Sequence, residues 1–179
     1  VSSPSLPDKI VQIDAALRAV DHAFGGAIAL AYWAEPRATI DIDLNLFVTP
    51  DRAKEVLSPL EAIGVQAADA IEVIERDGQA RVWWDDTPVD LFFSYDQFHA
   101  AAAKDAVEVP FADGVIPVLS AEHLAVCKVV YDRPKDWVDI DAMIELGTSL
   151  DAAEILRWVG RVVGDEDPRF DRIASVLAA

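Results

Sequence analysis

A single cysteine, Cys127, is all the thiol this sequence has, which excludes an intramolecular disulfide and a multi-thiolate zinc site. Long apolar runs are missing too. The longest, Ala27 to Ala34, is eight residues, against roughly 20 for a bilayer span. No basic segment followed by an apolar stretch opens the chain, so no secretory leader and no membrane partner are expected, and the expected location is the cytoplasm. Cations are scarce. Against 32 Asp and Glu there are 15 Lys and Arg, a formal charge of −17. A body of that sign repels polyanions unless a local basic patch meets them. The same acidity suits divalent cations, for which clustered carboxylates are oxygen ligands. His22, His99 and His123 lack the i,i+4 spacing of a zinc-binding helix and are expected to fill surface or helix-end positions. Internal repeats and low-complexity linkers are also absent. What remains is a chain of 179 residues, 53% hydrophobic, enough for one compact domain with a buried core.

Hydrophobic periodicity divides that domain into an α/β front, residues 1–119, and a helical back, residues 120–179. Ile10, Ile13, Leu17 and Val20 recur at helical spacing, predicting a helix to about His22. Phe24-Gly25-Gly26 breaks it, and Ala27 to Trp33 resumes as a short apolar helix ended by Pro36. From Thr39 to Val48 the period becomes two, placing Ile40, Ile42, Leu44 and Leu46 in the core. A helix follows Thr49-Pro50-Asp51. Ile71–Glu75 and Gln79–Trp84 read as strands about an Asp77-Gly78 turn, and Val89–Phe93 as another strand. A helix near Gln97–Lys104 and short strands near Val107 and Ile116 complete the front. Helices then start at Ser120, at Pro134 (with Trp137, Ile140, Ile144 and Leu146 inward), at Ser149 or Asp151, and at Pro168.

The chemistry-bearing segment is Thr39-Ile40-Asp41-Ile42-Asp43-Leu44. Residues two apart on a strand share a face, so Asp41 and Asp43 project together with Cα atoms roughly 7 Å apart. Their repulsion is relieved by a divalent cation, or the strand is simply amphipathic with a wet face. Asp90, alone among large apolar residues in Val89–Phe93, can add a third carboxylate if the two strands are neighbours, or merely follow the Thr87-Pro88 turn. Gly25 and Gly26 at a helix start allow backbone N–H groups to approach a phosphate, where the helix dipole favours an anion, or act only as breakers. Lys128, in the apolar helix Leu124–Val130, either reaches out to solvent or points at an anion, with Asp132 and Asp136 in range as ion-pair partners. Lys128, Arg133 and Lys135 make one local basic group, and Arg157, Arg161, Arg169 and Arg172 a second. One ring of each of the pairs Trp83-Trp84 and Phe92-Phe93 enters the core, leaving the other to cover an edge or stack a base. Cys127 packs as a small hydrophobe.

The order Gly-Gly, Arg37, Thr39-Ile40-Asp41-Ile42-Asp43, a later strand Asp, then Lys128 and Arg133-Pro134-Lys135-Asp136-Trp137-Val138-Asp139 resembles the nucleotidyltransferase superfamily with the DNA polymerase β-like fold. Within it the chain is most similar to AbiEii-type and MenT-like toxin nucleotidyltransferases. The resemblance implies an α/β (α+β) fold, a mixed β-sheet flanked by helices with a C-terminal helical part. It implies transfer of NMP from an NTP to an acceptor hydroxyl. That acceptor would be the tRNA 3′ end, and the chain would be the toxin of a toxin–antitoxin pair with a cognate antitoxin as partner. Asp41 and Asp43 would hold Mg²⁺ (or Mn²⁺), Asp90 would complete that site or help deprotonate the acceptor hydroxyl, Gly25, Gly26 and Thr39 would lie at the nucleotide, and Arg37 would clamp a phosphate. Lys128 would contact the triphosphate, oriented by Asp136 or Asp139. Many members carry Gly-Ser, whose hydroxyl touches a phosphate; Gly26 offers none. Two further readings stay open: a nucleotidyltransferase acting on a small aminoglycoside-like molecule or a protein, and a non-catalytic nucleotide- or partner-binding module.

Overall fold

The computed structural model describes residues 3–178. Its centre is a six-stranded mixed sheet in the order β3-β4-β2-β1-β6-β5. The strands are β1 (His22–Phe24), β2 (Ile42–Leu46), β3 (Gln79–Trp84), β4 (Thr87–Phe93), β5 (Val107–Phe111) and β6 (Gly114–Val118). Helices in the front are α1 (Leu6–Ala16), α2 (Gly26–Trp33), α3 (Ala53–Ala62), α4 (Ile71–Asp77) and α5 (Gln97–Lys104). Four helices follow the sheet: α6 (Ala121–Tyr131), α7 (Pro134–Glu145), α8 (Ala152–Val163) and α9 (Pro168–Leu177). The fold class is therefore the expected one, a mixed sheet flanked by helices with a helical C-terminal region. No helix among the described residues is long and apolar enough to cross a membrane.

Strand β2 is the hub. It pairs antiparallel with β1 (Phe24↔Leu44) and parallel with β4 (Asp43↔Asp90). Its alternation buries Ile42, Leu44 and Leu46 completely, as the period of two requires. Helix α2 packs on β2 and on α6, whose Leu124, Ala125, Val126 and Val129 are all buried. Trp84 and Phe93 enter the core while Trp83 stays outside.

Several sequence expectations are corrected. The first helix stops at Ala16, and His22–Phe24 is the strand β1 because β2 and β6 flank it on both edges. Ile71–Glu75 is helical, not extended: an apolar run this short fits either state, and Ile74 faces the core from a helix. Gly78, read as a hairpin turn, is instead that helix's left-handed C-cap at φ +69, its N–H donating to the Ile74 carbonyl. The hairpin loop lies at Asp85-Asp86, between Trp84 and Thr87. Ile40, expected in the core, is 72% exposed because it precedes the first residue of β2. Ile144 and Leu146 are exposed as well; the buried stripe of α7 runs through Asp136, Asp139, Ile140 and Met143 at helical spacing. His22 and His123 are buried, not surface filler.

Candidate active site

The antiparallel register of β1 on β2 carries the chain from Phe24 directly past Asp43. The Gly25 N–H donates to the Asp43 carbonyl at 2.9 Å, and α2 begins immediately after, with Gly25 as its N-cap. Gly26 sits at φ +51, and a Cβ built on it would overlap the Asp43 carboxyl group. A Cβ on Gly25 would come within 2.7 Å of the Asn45 amide. The two glycines therefore let the positive end of α2 close on the first β2 carboxylate, an arrangement any side chain at residue 26 would break.

Parallel pairing places Asp90 of β4 beside Asp43 in register, on strands about 4.8 Å apart. Asp41 lies just before β2, its backbone N–H received by Thr39 Oγ1 at 3.2 Å. Burial raises the Asp43 carboxyl above its ordinary pKa, and the charges of Asp90 and Asp41 push it further, with Lys128 and Arg133 opposing. Sequence reasoning missed Arg81. It lies opposite Asp90 in the β3–β4 hairpin and grips it with two hydrogen bonds, Nε to Oδ1 at 2.7 Å and Nη2 to Oδ2 at 2.6 Å. Its Nη2 is also 3.8 Å from Asp41. The guanidinium is half-exposed, so it covers these carboxylates from the solvent side. Counting back from the two-residue loop at Asp85-Asp86 would have found it.

The helical half closes the opposite wall. Lys128 is 4% exposed and donates from Nζ to Asp139 Oδ2 at 2.6 Å, with Asp136 at 4.0 Å. Neither solvent nor Asp132 is its partner; Asp132 instead accepts from the Trp137 indole. Asp139 also takes both arms of Arg37, each at 3.0 Å. Burial works to raise the Asp139 pKa, but the hydrogen bonds from Arg37 and Lys128 bring it below the ordinary carboxylate value. Asp136 is spent on Arg133: it accepts from the Arg133 backbone N–H and from both guanidinium arms, fixing the start of α7.

These elements enclose a cavity of about 550 Å³. Gly26, Arg37, Thr39, Asp41, Asp43, Asp90, Lys128 and Asp136 all line it, together with Arg81, Arg133 and Lys135. Gly25 and Asp139 do not; Asp139 stands behind the wall, and its effect on the cavity runs through Lys128 and Arg37. Phe92, Tyr95 and Tyr131 add an aromatic side, with Phe92 and Tyr131 edge to face at 6.1 Å. Outside the cavity, Asp105, His123 and Glu154 each bring a ligand atom within 4.8 Å of the other two, the one such His/Cys/Asp/Glu group among the described residues. That arrangement is compatible with a divalent cation. Asp41, Asp43 and Asp90 are spread more widely.

The family model described as nucleotidyl transferase AbiEii toxin, type IV toxin–antitoxin system, matches residues 11–176. Among solved structures, the antibiotic-resistance factor ANT(2″)-Ia in solution superposes with a TM-score of 0.57 at 17% identity, over 96% of this chain and 90% of its own. The same protein in complex with adenylyl-2″-tobramycin gives 0.52 at 16%, over 94% of each chain. Lincomycin-bound LnuA, a lincosamide antibiotic adenylyltransferase, gives 0.55 at 15%, over 81% of this chain and 99% of its own. At such identities the likeness is one of fold. No curated protein matches the chain.

Proposed function

The chain belongs to the AbiEii nucleotidyl transferase toxin family and is a nucleotidyltransferase; from that premise we propose that it transfers NMP from an NTP to the 3′-terminal hydroxyl of tRNA, with a cognate antitoxin as its partner. The observation that carries the reading is the in-register pair Asp43–Asp90 at the N-terminus of α2. Beside it Arg37, Arg81, Lys128, Arg133 and Lys135 line the same cavity, interleaved with Asp41, Asp43, Asp77, Asp90, Asp96 and Asp136.

The donor set fits a hard divalent cation. Asp41, Asp43 and Asp90 offer oxygen alone; burial raises the Asp43 carboxyl, the charges of Asp90 and Asp41 add to that, and a cation would relieve their repulsion. When bound, Mg²⁺ or Mn²⁺ neutralises charge on the phosphates and polarises the reacting oxygens. The protein's own groups position the rest. N–H groups at the start of α2, at Gly26 and beyond, receive the β- and γ-phosphates through the helix dipole. Lys128, fixed by Asp139, presents its ammonium to the triphosphate. Arg37 is held on Asp139 with a cavity-facing edge, so it stabilises that pair and adds field to the site instead of clamping a phosphate with its full fork. Once Arg81 gives way, Asp90 takes the proton of the acceptor hydroxyl as that hydroxyl's oxygen bonds to the α-phosphorus in line with the departing bridge oxygen. Pyrophosphate leaves.

A small-molecule acceptor is the second reading. A cavity of about 550 Å³ suits a small ligand, and a body of charge −17 repels RNA. The solved relatives include one in complex with adenylyl-2″-tobramycin and one bound to lincomycin. Incubation with each labelled NTP, Mg²⁺ and total RNA, alongside a panel of hydroxylated small molecules with pyrophosphate detection, separates the two. Labelled tRNA that Asp43→Asn reduces by on the order of a thousand-fold supports the first reading, since several kcal/mol of charge stabilisation rest on that carboxylate. Turnover only with small molecules favours the second. Equal labelling by wild type and Asp43→Asn overturns the site, and NTP binding without any turnover favours a binding module.

A further inference from the structure

We propose that Asp105, His123 and Glu154 form a second divalent-cation site, of the zinc class, which staples α5, α6 and α8 together outside the nucleotide cavity. Each ligand comes from a different helix end: Asp105 is the C-cap of α5, His123 lies in the first turn of α6, and Glu154 in the first turn of α8. None of the three lines the cavity around Asp43.

The second observation that points to an ion is the imidazole. His123 is 1% exposed, and its Nε2 has no hydrogen-bond partner. Its other nitrogen, Nδ1, is 2.9 Å from Ser120 Oγ, the N-cap hydroxyl of α6, which fixes the ring. A ring nitrogen of His123 lies within 4.8 Å of a carboxylate oxygen on each of Asp105 and Glu154, and the buried Nε2 bonds to neither. A buried ring nitrogen left unpaired costs on the order of 1–3 kcal/mol, and a cation between it and the two carboxylates removes that cost. The Phe98 and Trp158 rings pack on His123 at 5.4 and 6.5 Å between centroids. Burial lowers the His123 pKa, with Asp105, Glu154 and Glu122 pulling upward and Arg157 downward, so the neutral imidazole that ligates metals is the favoured form.

Support around the ligands is in place. Glu154 Oε1 accepts from the Trp158 indole at 2.6 Å and Arg157 bonds both of its oxygens, orienting a carboxylate that retains lone pairs for a metal. Asp105 is exposed at a helix end, and a change of its rotamer toward His123 would shorten the ligand spacing toward that of a tetrahedral centre with bonds of about 2.0–2.2 Å. One imidazole with two carboxylates selects Zn²⁺, Co²⁺ or Mn²⁺ over Mg²⁺ or Ca²⁺, with water completing the sphere.

The test uses the full chain, stripped with a chelator and carrying Asp41→Asn and Asp43→Asn so that the cavity carboxylates no longer compete. Co²⁺ titration followed by visible absorption, with Zn²⁺ calorimetry and thermal melting, is expected to show one equivalent bound in a low-symmetry four-coordinate spectrum and a melting point raised by Zn²⁺. Adding Asp105→Asn or Glu154→Gln weakens binding at least about tenfold and abolishes the thermal shift. His123→Gln does the same; should it fail to fold, the exposed Asp105 carries the test. No bound Co²⁺, or binding that these substitutions leave unchanged (an adventitious ion only), overturns the proposal. Neither outcome touches the transferase reading, because that site is removed from the measurement.

Discussion

The Asp43 carboxyl group fills the space in which residue 26 would carry a side chain. Glycine is imposed there twice, by that overlap and by φ +51. Gly26→Ala is expected to cost about 1–3 kcal/mol of stability and, because Asp43 must move, to abolish nucleotide transfer. Thermal melting together with NTP-labelling assays checks it. A fully active Gly26→Ala enzyme would mean that Asp43 can leave its place without consequence.

Removing Asp139 strands two cations, one of them the buried Lys128. Asp139→Ala should destabilise the protein by about 3–5 kcal/mol, lowering the melting point by roughly 10 °C at about 2–4 °C per kcal/mol. Lys128→Met on the Asp139→Ala background should recover part of that loss, since no unpaired buried charge is then left. Recovery of transfer activity is not expected, because the ammonium itself is gone. A double variant no more stable than Asp139→Ala contradicts the pairing.

Arg81 neutralises Asp90 and reaches Asp41, so a cation entering between these carboxylates competes with it. Arg81→Ala is expected to tighten Mn²⁺ binding by about tenfold, a difference of about 1.4 kcal/mol, read by electron paramagnetic resonance titration. Unchanged or weaker Mn²⁺ affinity would separate Arg81 from the metal-binding group.

Burial pushes the Cys127 thiol up from 9.0 to about 12, with Lys128 partly opposing. Its thiolate is the reactive form, so alkylation of the native chain at pH 8 should run about a thousand-fold slower than that of an unperturbed thiol, and become fast on unfolding. The folded pKa is the higher one, so the stability tied to this group is full below pH 9 and is lost as pH rises through about 12. Rapid labelling of the native protein by iodoacetamide would refute this.

What sequence could reach was what local periodicity carries. Ile42, Leu44 and Leu46 announce β2, the Gly-Gly break announces the start of α2, and both prove positional for Asp43. The pairing of Arg37 with Asp139 was out of reach, because it joins residues 102 apart through the folding of α7 against α2. Ile71–Glu75 failed for a different reason: β-branched residues fit helix and strand alike in so short a run, and only the Gly78 conformation decides. The i,i+4 spacing rule finds metal sites on one helix and is blind to a cluster such as that of His123. Its neighbours Asp105 and Glu154 come from two others.

Because Asp139 of α7 balances Arg37 from the front and Lys128 from α6 together, residues on both sides of position 119 share one counter-charge. A chimaera that exchanged everything after that position for the equivalent stretch of a relative would inherit an orphaned guanidinium unless the incoming helix brought its own acid to the same spot. Recombination within such proteins should therefore cross over elsewhere, or drag Arg37 along with the tail.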